Sequence, residues 1–248
     1  MITEPAFYAV AVPAVLLMGL SKSGFGAGFG ALAVPLMALA VPVPQAAAIL
    51  LPLLLVMDLL GVAALVRHAD WTLLRRLLPA GLVGTVLGTA LFRGLSPTVV
   101  AGVVGAVTLV FVALRLLPRT RRAAPPPSWL GGVLATISGF TSFVAHAGGP
   151  PIGVYLLPLG LPPLVFTATL AVFFAVVNLS KWIPYAWLGL LDFGNFATSL
   201  VLVPLVPFGV WLGVHVARRI SRLWFERIFV LGMTLTGAKL LYDGLATP

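Results

Sequence analysis

Four ionisable side chains stand inside runs of sequence that are otherwise apolar: Lys22 in GLSKSGFGAGFG, Asp58 in LLLVMDLLGV, His146 in TSFVAHAGGPP and Lys181 in AVVNLSKWIPYAW. An ionised side chain within a hydrocarbon layer costs about 2.5–3.5 kcal/mol on insertion scales and marks a functional site by default. Two lysines against one such acid leave a net positive site. Ser21, Ser23, Gly24, Gly26 and Gly28 surround Lys22; Thr141, Ser142, Gly148, Gly149 and Pro150 surround His146; Asn178 precedes Lys181 by three residues. Hydroxyls offer donors, and glycines admit close approach and unusual dihedrals. A helix start adds free N–H groups and about half a positive charge, so the combination suits a small oxyanion. Asp58 and His146, whose side chain titrates near neutrality, are the two candidates for carrying a proton. Plainer readings stand beside these: Lys22 snorkels to an interface from a short helix, Lys181 pairs with Asp58 as a structural bridge, and His146 is a hydrogen-bonded packing residue.

These residues must be positioned by elements that live in lipid. The 248 residues are 60% hydrophobic and 8% charged, with a mean hydropathy of +1.13, against about one quarter charged residues in soluble domains. The chain reads as an all-α polytopic membrane protein with no room for a separate soluble domain. Its net charge of +9 would suggest nucleic acid in a soluble protein. Here the arginines fall in short gaps between apolar runs, as membrane orientation requires, so no nucleic-acid partner is implied. The absence of cysteine removes disulfides and thiolate chemistry. MITEPAFYAV has no basic stretch before its apolar run, so the first helix is expected to be retained.

Runs of spanning length lie at Ala46–Val66, Thr72–Phe92 and Pro97–Leu117, and again at Leu164–Leu188, Phe193–Val216 and Trp224–Leu241. Before each trio comes a shorter pair: Ala6–Leu20 with Ala27–Val41, and Ser128–Phe143 with Pro151–Leu161. Runs this short reach only about 16 to 24 Å of a hydrocarbon core of about 30 Å, which reads as broken or re-entrant helices. Two five-segment halves follow, residues 1–117 and 128–248, joined by a basic linker at 118–127. Displaced by 120 residues, Gly19 falls on Gly139, Ser21 on Thr141, Lys22 on Ser142, Gly28 on Gly148 and Asp58 on Asn178; displaced by 125, Gly84 falls on Gly209, Gly88 on Gly213 and Arg93 on Arg218. The connection carrying Arg67, His68, Arg75 and Arg76 corresponds to GLLDFGN, which has no basic residue, and Arg93 alone corresponds to Arg218, Arg219, Arg222 and Arg227. Equivalent loops therefore lie on opposite sides, and the repeat is inverted. This trace puts the linker in the cytoplasm and both termini outside. Inverted repeats with matching helix breaks point to a secondary transporter whose site lies between the halves near the bilayer midplane. An anion channel shares every one of these features. A membrane-embedded transferase would bring clustered carboxylates or a nucleophile with its base. The six acids, Glu4, Asp58, Asp70, Asp192, Glu226 and Asp243, contain no pair at metal-ligand spacing, so neither an enzyme, a metal site nor a cofactor is expected. Gly81, Gly84 and Gly88 read as helix-packing surface.

LSKSGFGAGFGALAVPL, the half-repeat SGFTSFVAHAGGPP and the basic linker between them resemble the TauE/SafE family of sulfite exporters and organosulfur-anion permeases, from Ala6 to about Leu241. The resemblance implies export, or in some members uptake, of sulfite, sulfonates, sulfoacetate or similar small anions across the cytoplasmic membrane. It assigns Lys22 with Gly24 to Gly28 to the first tip, and His146 with Gly148, Gly149 and Pro150 to the second. Asn178 and Lys181 rest on the reading of their own helix.

Overall fold

In a computed structural model of the chain, the residues described are 1–22, 29–92, 94, 96–116, 126–219 and 222–246. All regular structure among them is helical. The helices are α1 (Pro5–Leu20), α2 (Ala33–Met37), α3 (Val43–Leu65), α4 (Trp71–Phe92), α5 (Pro97–Leu116), α6 (Ser128–Ala145), α7 (Gly149–Leu156), α8 (Pro163–Ser180), α9 (Trp182–Trp187), α10 (Phe193–Leu202), α11 (Leu205–Arg219) and α12 (Arg222–Ala246). Without water in a bilayer every backbone group must be satisfied internally, which is why such a sequence folds as helices throughout.

Four stretches are long and apolar enough to cross a membrane: Val43–His68, Trp71–Phe92, Ser128–Ala145 and Pro163–Trp187. Phe193–Leu202 and Leu205–Leu212, bent by 46°, make a fifth if taken as one broken span. The protein is thus an integral, multi-pass membrane protein. Its second half departs from three uninterrupted helices in two places, and proline explains both. Pro184 and Pro207 each lack an N–H and crowd the carbonyl four residues earlier. The ladder accordingly breaks at Lys181, between α8 and α9, and near Val203, between α10 and α11. α6 runs through Ala145, two residues beyond its expected end, and at 18 residues reaches spanning length. α1, with 16 residues, and Gly149–Leu159 remain short. Most of the linker, residues 118–125, lies outside the described residues.

The packing pairs helices across the chain. α4 lies along α6 and α1 along α11, α3 packs on α8, and α5 on α12. Small residues set close approaches in two of these pairs. A methyl group at Gly84 would overlap the Thr136 carbonyl oxygen, and one at Gly139 the Gly81 carbonyl oxygen, so α4 and α6 meet backbone to backbone. On the other side, a methyl at Gly19 would come within 2.9 Å of the Gly209 carbonyl carbon. Without a hydrophobic driving force between helices in lipid, this close van der Waals fit supplies much of the association. Aspartates cap the helices after both central spans: Asp70 accepts from the Thr72 and Leu73 N–H groups at the start of α4, and Asp192 from the Asn195 N–H at the start of α10. The two stand 122 positions apart.

Candidate functional site

The centre of the bundle is built from α1, α3, α6 and α8. α1 ends in a wider, π-type turn at Ser21 and Lys22. Lys22 is thereby brought onto Asp58 of α3, with which it forms an ion pair; the lysine side chain is 24% exposed and the aspartate 1%. The Lys22 ammonium also lies 5.5 Å from the centroid of the Phe174 ring, within reach of a cation–π attraction. The second carboxylate oxygen of Asp58 accepts from Asn178 Nδ2 at 2.6 Å. These last two residues are the pair that superimpose at the 120-residue displacement, and they touch.

Beneath Asn178 the network continues to Lys181, which is fully buried. Its Nζ donates to Asn178 Oδ1, to the Ser142 carbonyl and to Ser142 Oγ, each at 2.7 Å, and lies 3.1 Å from His146 Nδ1. Asn178 and Lys181, three residues apart, share a helix face. Lysine offers donors only. It therefore fixes the side-chain amide of Asn178 with its oxygen toward Lys181 and its NH₂ toward Asp58. His146 Nε2 lies 2.8 Å from the Ala47 carbonyl oxygen, while Nδ1 lies 3.2 Å from the Ser142 carbonyl oxygen and 3.1 Å from Lys181 Nζ; donation through the shorter carbonyl contact puts the hydrogen on Nε2 and leaves Nδ1 to face Lys181. Asp58 thus pairs with Lys22, and Asn178 intervenes between it and Lys181; a direct Lys181–Asp58 bridge is not the arrangement found.

His146 ends α6 in the left-handed conformation, φ 51°, the one non-glycine residue with positive φ among those described. Its N–H returns to the Ser142 carbonyl and the Ala147 N–H to the Thr141 carbonyl, a helix end that glycine usually supplies. Gly148, next in line, has an ordinary helical φ of −73°. Space rather than dihedral freedom requires that glycine, since a methyl there would meet the Ser138 carbonyl at 2.7 Å. Pro150 and Pro151 follow Gly149 in the first turn of α7 and have no N–H. Donors at this helix start are consequently limited to those of the two glycines.

A cavity of about 390 Å³ opens against this network. Ser21, Lys22, Asp58, Ser142, His146, Gly149 and Asn178 contribute to its lining, together with apolar walls that include Met57, Leu60, Phe166 and Phe174. Lys181 sits behind Ser142 and Asn178 rather than on the lining. Thr141 Oγ1 is committed to backbone carbonyls, among them Ile137 at 2.9 Å and Ala147 at 3.1 Å. Gly148 accepts from Ser138 Oγ at 2.6 Å, and Pro150 is buried in α7. Ser23, Gly24, Gly26 and Gly28 lie outside the described residues. Among those described, no three His, Asp or Glu side chains converge as a metal site.

Two contributions escaped the sequence reading. Phe174 was legible in principle, because AVFFAVVN places it one helical turn before Asn178 on the same face. Gln45, which donates to Asn195 Oδ1 at 3.1 Å, had no signal. The two residues stand 150 positions apart, and Gln45 is an isolated polar residue in its run.

The family model described as sulfite exporter TauE/SafE matches residues 11–240. No curated protein and no solved structure matches the chain.

Proposed function

The chain belongs to the TauE/SafE sulfite exporter family, a family of membrane transporters, and we propose that it exports sulfite or a related small organosulfur anion across the cytoplasmic membrane by alternating access. The observation that carries this reading is the cavity floor. Lys22 is a partly exposed cation facing the cavity, flanked by the amide of Asn178 and the hydroxyl of Ser142. An oxyanion there meets a charge and neutral donors within low-dielectric walls, where each interaction is stronger than in water. The buried Lys181 holds Ser142 and Asn178 from behind without lining the cavity.

The helix contacts support an inverted repeat. If α1 corresponds to α6 and α4 to α10–α11, then α1 on α11 and α6 on α4 are one contact made twice, and α3 on α8 and α5 on α12 are contacts of equivalent helices. The cavity runs along α3 toward Leu65 and along α8 toward Pro163, the end where Arg67, Arg75 and Arg76 lie exposed. The positive-inside rule supports reading this end as cytoplasmic, with the linker inside and both termini outside. At the opposite end α3 is buried almost continuously from Ala46 to Leu54, which favours a carrier sealed on one side over an open channel. Export needs no coupling to be downhill for charge, because each negative charge leaving an inside-negative cell gains about 2.3 kcal/mol per 100 mV.

Counterflow tests the reading. Labelled sulfite accumulates in proteoliposomes preloaded with unlabelled sulfite, and accumulation is lost in Lys22→Met/Asp58→Asn, which removes the cation and its partner together so that no buried charge is orphaned. Undiminished accumulation in that variant, with the protein inserted and folded, refutes the assignment of Lys22.

A further inference from the structure

The residue that faces Lys22 across the cavity floor is itself an anion. Asp58 occupies the position relative to Lys22 that an oxyanion ligand needs, and it does so while buried, with both oxygens engaged: one by Lys22, the other by Asn178 at 2.6 Å. An incoming dianion would meet a carboxylate at contact distance in a low-dielectric cavity. That repulsion cancels much of the attraction to Lys22. At the cavity floor Lys22 and Asp58 cancel in the empty protein. A dianion there adds two negative charges, whereas a dianion with one proton on Asp58 adds one.

We propose that Asp58 is the proton site of transport: as a carboxylate it holds Lys22 in the empty protein, and it takes up one proton from the cavity as the sulfur oxyanion takes over Lys22. The inference rests on the reading of the cavity as an anion site. The charged groups that face Asp58 are Lys22 from the end of α1 and Lys181, beyond Asn178, from the α8–α9 break; His146, from the end of α6, lies against Lys181. Geometry favours Asp58 over His146 as the titrating group. The histidine has Nε2 on the Ala47 carbonyl, and its Nδ1 lies 3.1 Å from Lys181 Nζ and 3.2 Å from the Ser142 carbonyl that Lys181 already holds, so protonating it would put an imidazolium in contact with the lysine nitrogen and in competition for that carbonyl. Protonating Asp58 breaks no other contact. Its Oδ2 keeps the hydrogen bond from Asn178, whose amide Lys181 holds in the required orientation, and the new O–H at Oδ1 is free to donate to the bound anion. Asn178 and Lys181 are in this scheme positioning residues. The proton balance is simple: one proton leaves solvent and joins Oδ1, and it returns to solvent when the anion departs and the ion pair re-forms.

The test counts protons. Sulfite binding to the full chain in lipid nanodiscs is measured by calorimetry in two buffers of different ionisation enthalpy, for the unaltered protein and for Asp58→Asn at the same pH. Sulfite's own protonation contributes to both and cancels in the difference. The expected result is about one more proton taken up per sulfite bound by the unaltered protein. Equal proton numbers with binding intact overturn the role of Asp58 and leave the anion site standing. Absence of sulfite binding by the folded, unaltered protein removes the anion site, and the inference with it. Should Asp58→Asn fail to fold, infrared difference spectroscopy on the unaltered protein decides. Sulfite is expected to raise a protonated-carboxyl band that shifts in D₂O while carboxylate bands decline, and no such band means that the proposal is wrong.

Discussion

Removing Lys22 and removing Asp58 should each harm the fold more than removing both. Asp58 is 1% exposed and spends its charge on Lys22, so Lys22→Met leaves an ionised carboxylate in a protein interior with only Asn178 as donor. Loss of one partner from a buried pair costs about 3–5 kcal/mol. The converse variant, Asp58→Asn, leaves Lys22 without its counterion, but the lysine is 24% exposed and reaches the cavity, so its cost falls at or below the lower end of that range. Two opposite charges about 4 Å apart attract by about 4 kcal/mol at an effective dielectric constant of 20. Since the double variant leaves neither charge, a double-mutant cycle should return a coupling of about 2–4 kcal/mol, at the high end of the range for contacting residues. Unfolding of the purified protein in mixed micelles by added sodium dodecyl sulfate, followed by tryptophan fluorescence, reads all four corners of the cycle. Additive single variants, with coupling below about 0.5 kcal/mol, would show that the ion pair is not a feature of the folded protein and remove the basis for treating Lys22 and Asp58 as one device.

Gly139→Ala drives a methyl into the Gly81 carbonyl, so α4 and α6 must separate; it should destabilise by about 1–3 kcal/mol or more, whereas Gly132→Ala on the same helix, with open space around its Cβ position, should be close to neutral in the same assay. The chain contains no cysteine, so Leu60→Cys and Ala64→Cys, both on the cavity wall, can be labelled without a background. An impermeant maleimide should modify them from the cytoplasmic face, while Ile49→Cys, fully buried, stays unlabelled; equal labelling at all three refutes the assignment of the open end. Asp192→Ala removes the cap of α10 and should cost about 1 kcal/mol in the unfolding titration, with the sulfite dissociation constant unchanged.

Composition and run length made the membrane class legible, because 20 apolar residues in a row have few other physical uses. The glycine and charge displacements carry the proposal of two halves for a similar reason: close helix contacts and loop orientation are each recorded by single residue types. Proximity of Asn178 to Lys181 also follows from helix geometry alone. The choice of partner for Asp58 did not follow. It depends on how the end of α1 sits against α3, and α1 packs through Gly19 on Gly209, nearly two hundred positions away. Nor did the sequence reveal which residue turns the chain after α6. HAGGP offers two glycines for a left-handed position, yet His146 takes it, held by its ring contacts to Ala47 and Lys181. A strained conformation that persists because surrounding contacts over-determine it is a property of the folded site.

On the proposed repeat, α3 and α8 are equivalent helices in unequal surroundings. The first half of α3, from Ala46 to Leu54, is buried, while Pro163 and Leu164 at the start of α8 are exposed and Phe166 and Thr167 line the cavity. One structure therefore displays both environments that an inverted pair can exchange, closed at one end and open at the other. What fastens α3 to α10 at the closed end by side chains is slight: Gln45 donates to Asn195, and Ser199 to the Ile49 carbonyl at 2.7 Å. At about 0.5–1.5 kcal/mol net for each hydrogen bond, the two contribute about 1–3 kcal/mol to the bias. A bias of that size lies within what a ligand with different affinity for the two states can reverse. The Lys22–Asp58 pair, by contrast, lies at the inner limit of the cavity and not in the closed end. Reorientation can then proceed with the pair intact when the site is empty, or with Lys22 on the anion and a neutral Asp58 when it is full. The arrangement to be avoided is Lys22 on the anion with Asp58 still ionised, and proton uptake at Asp58 removes it.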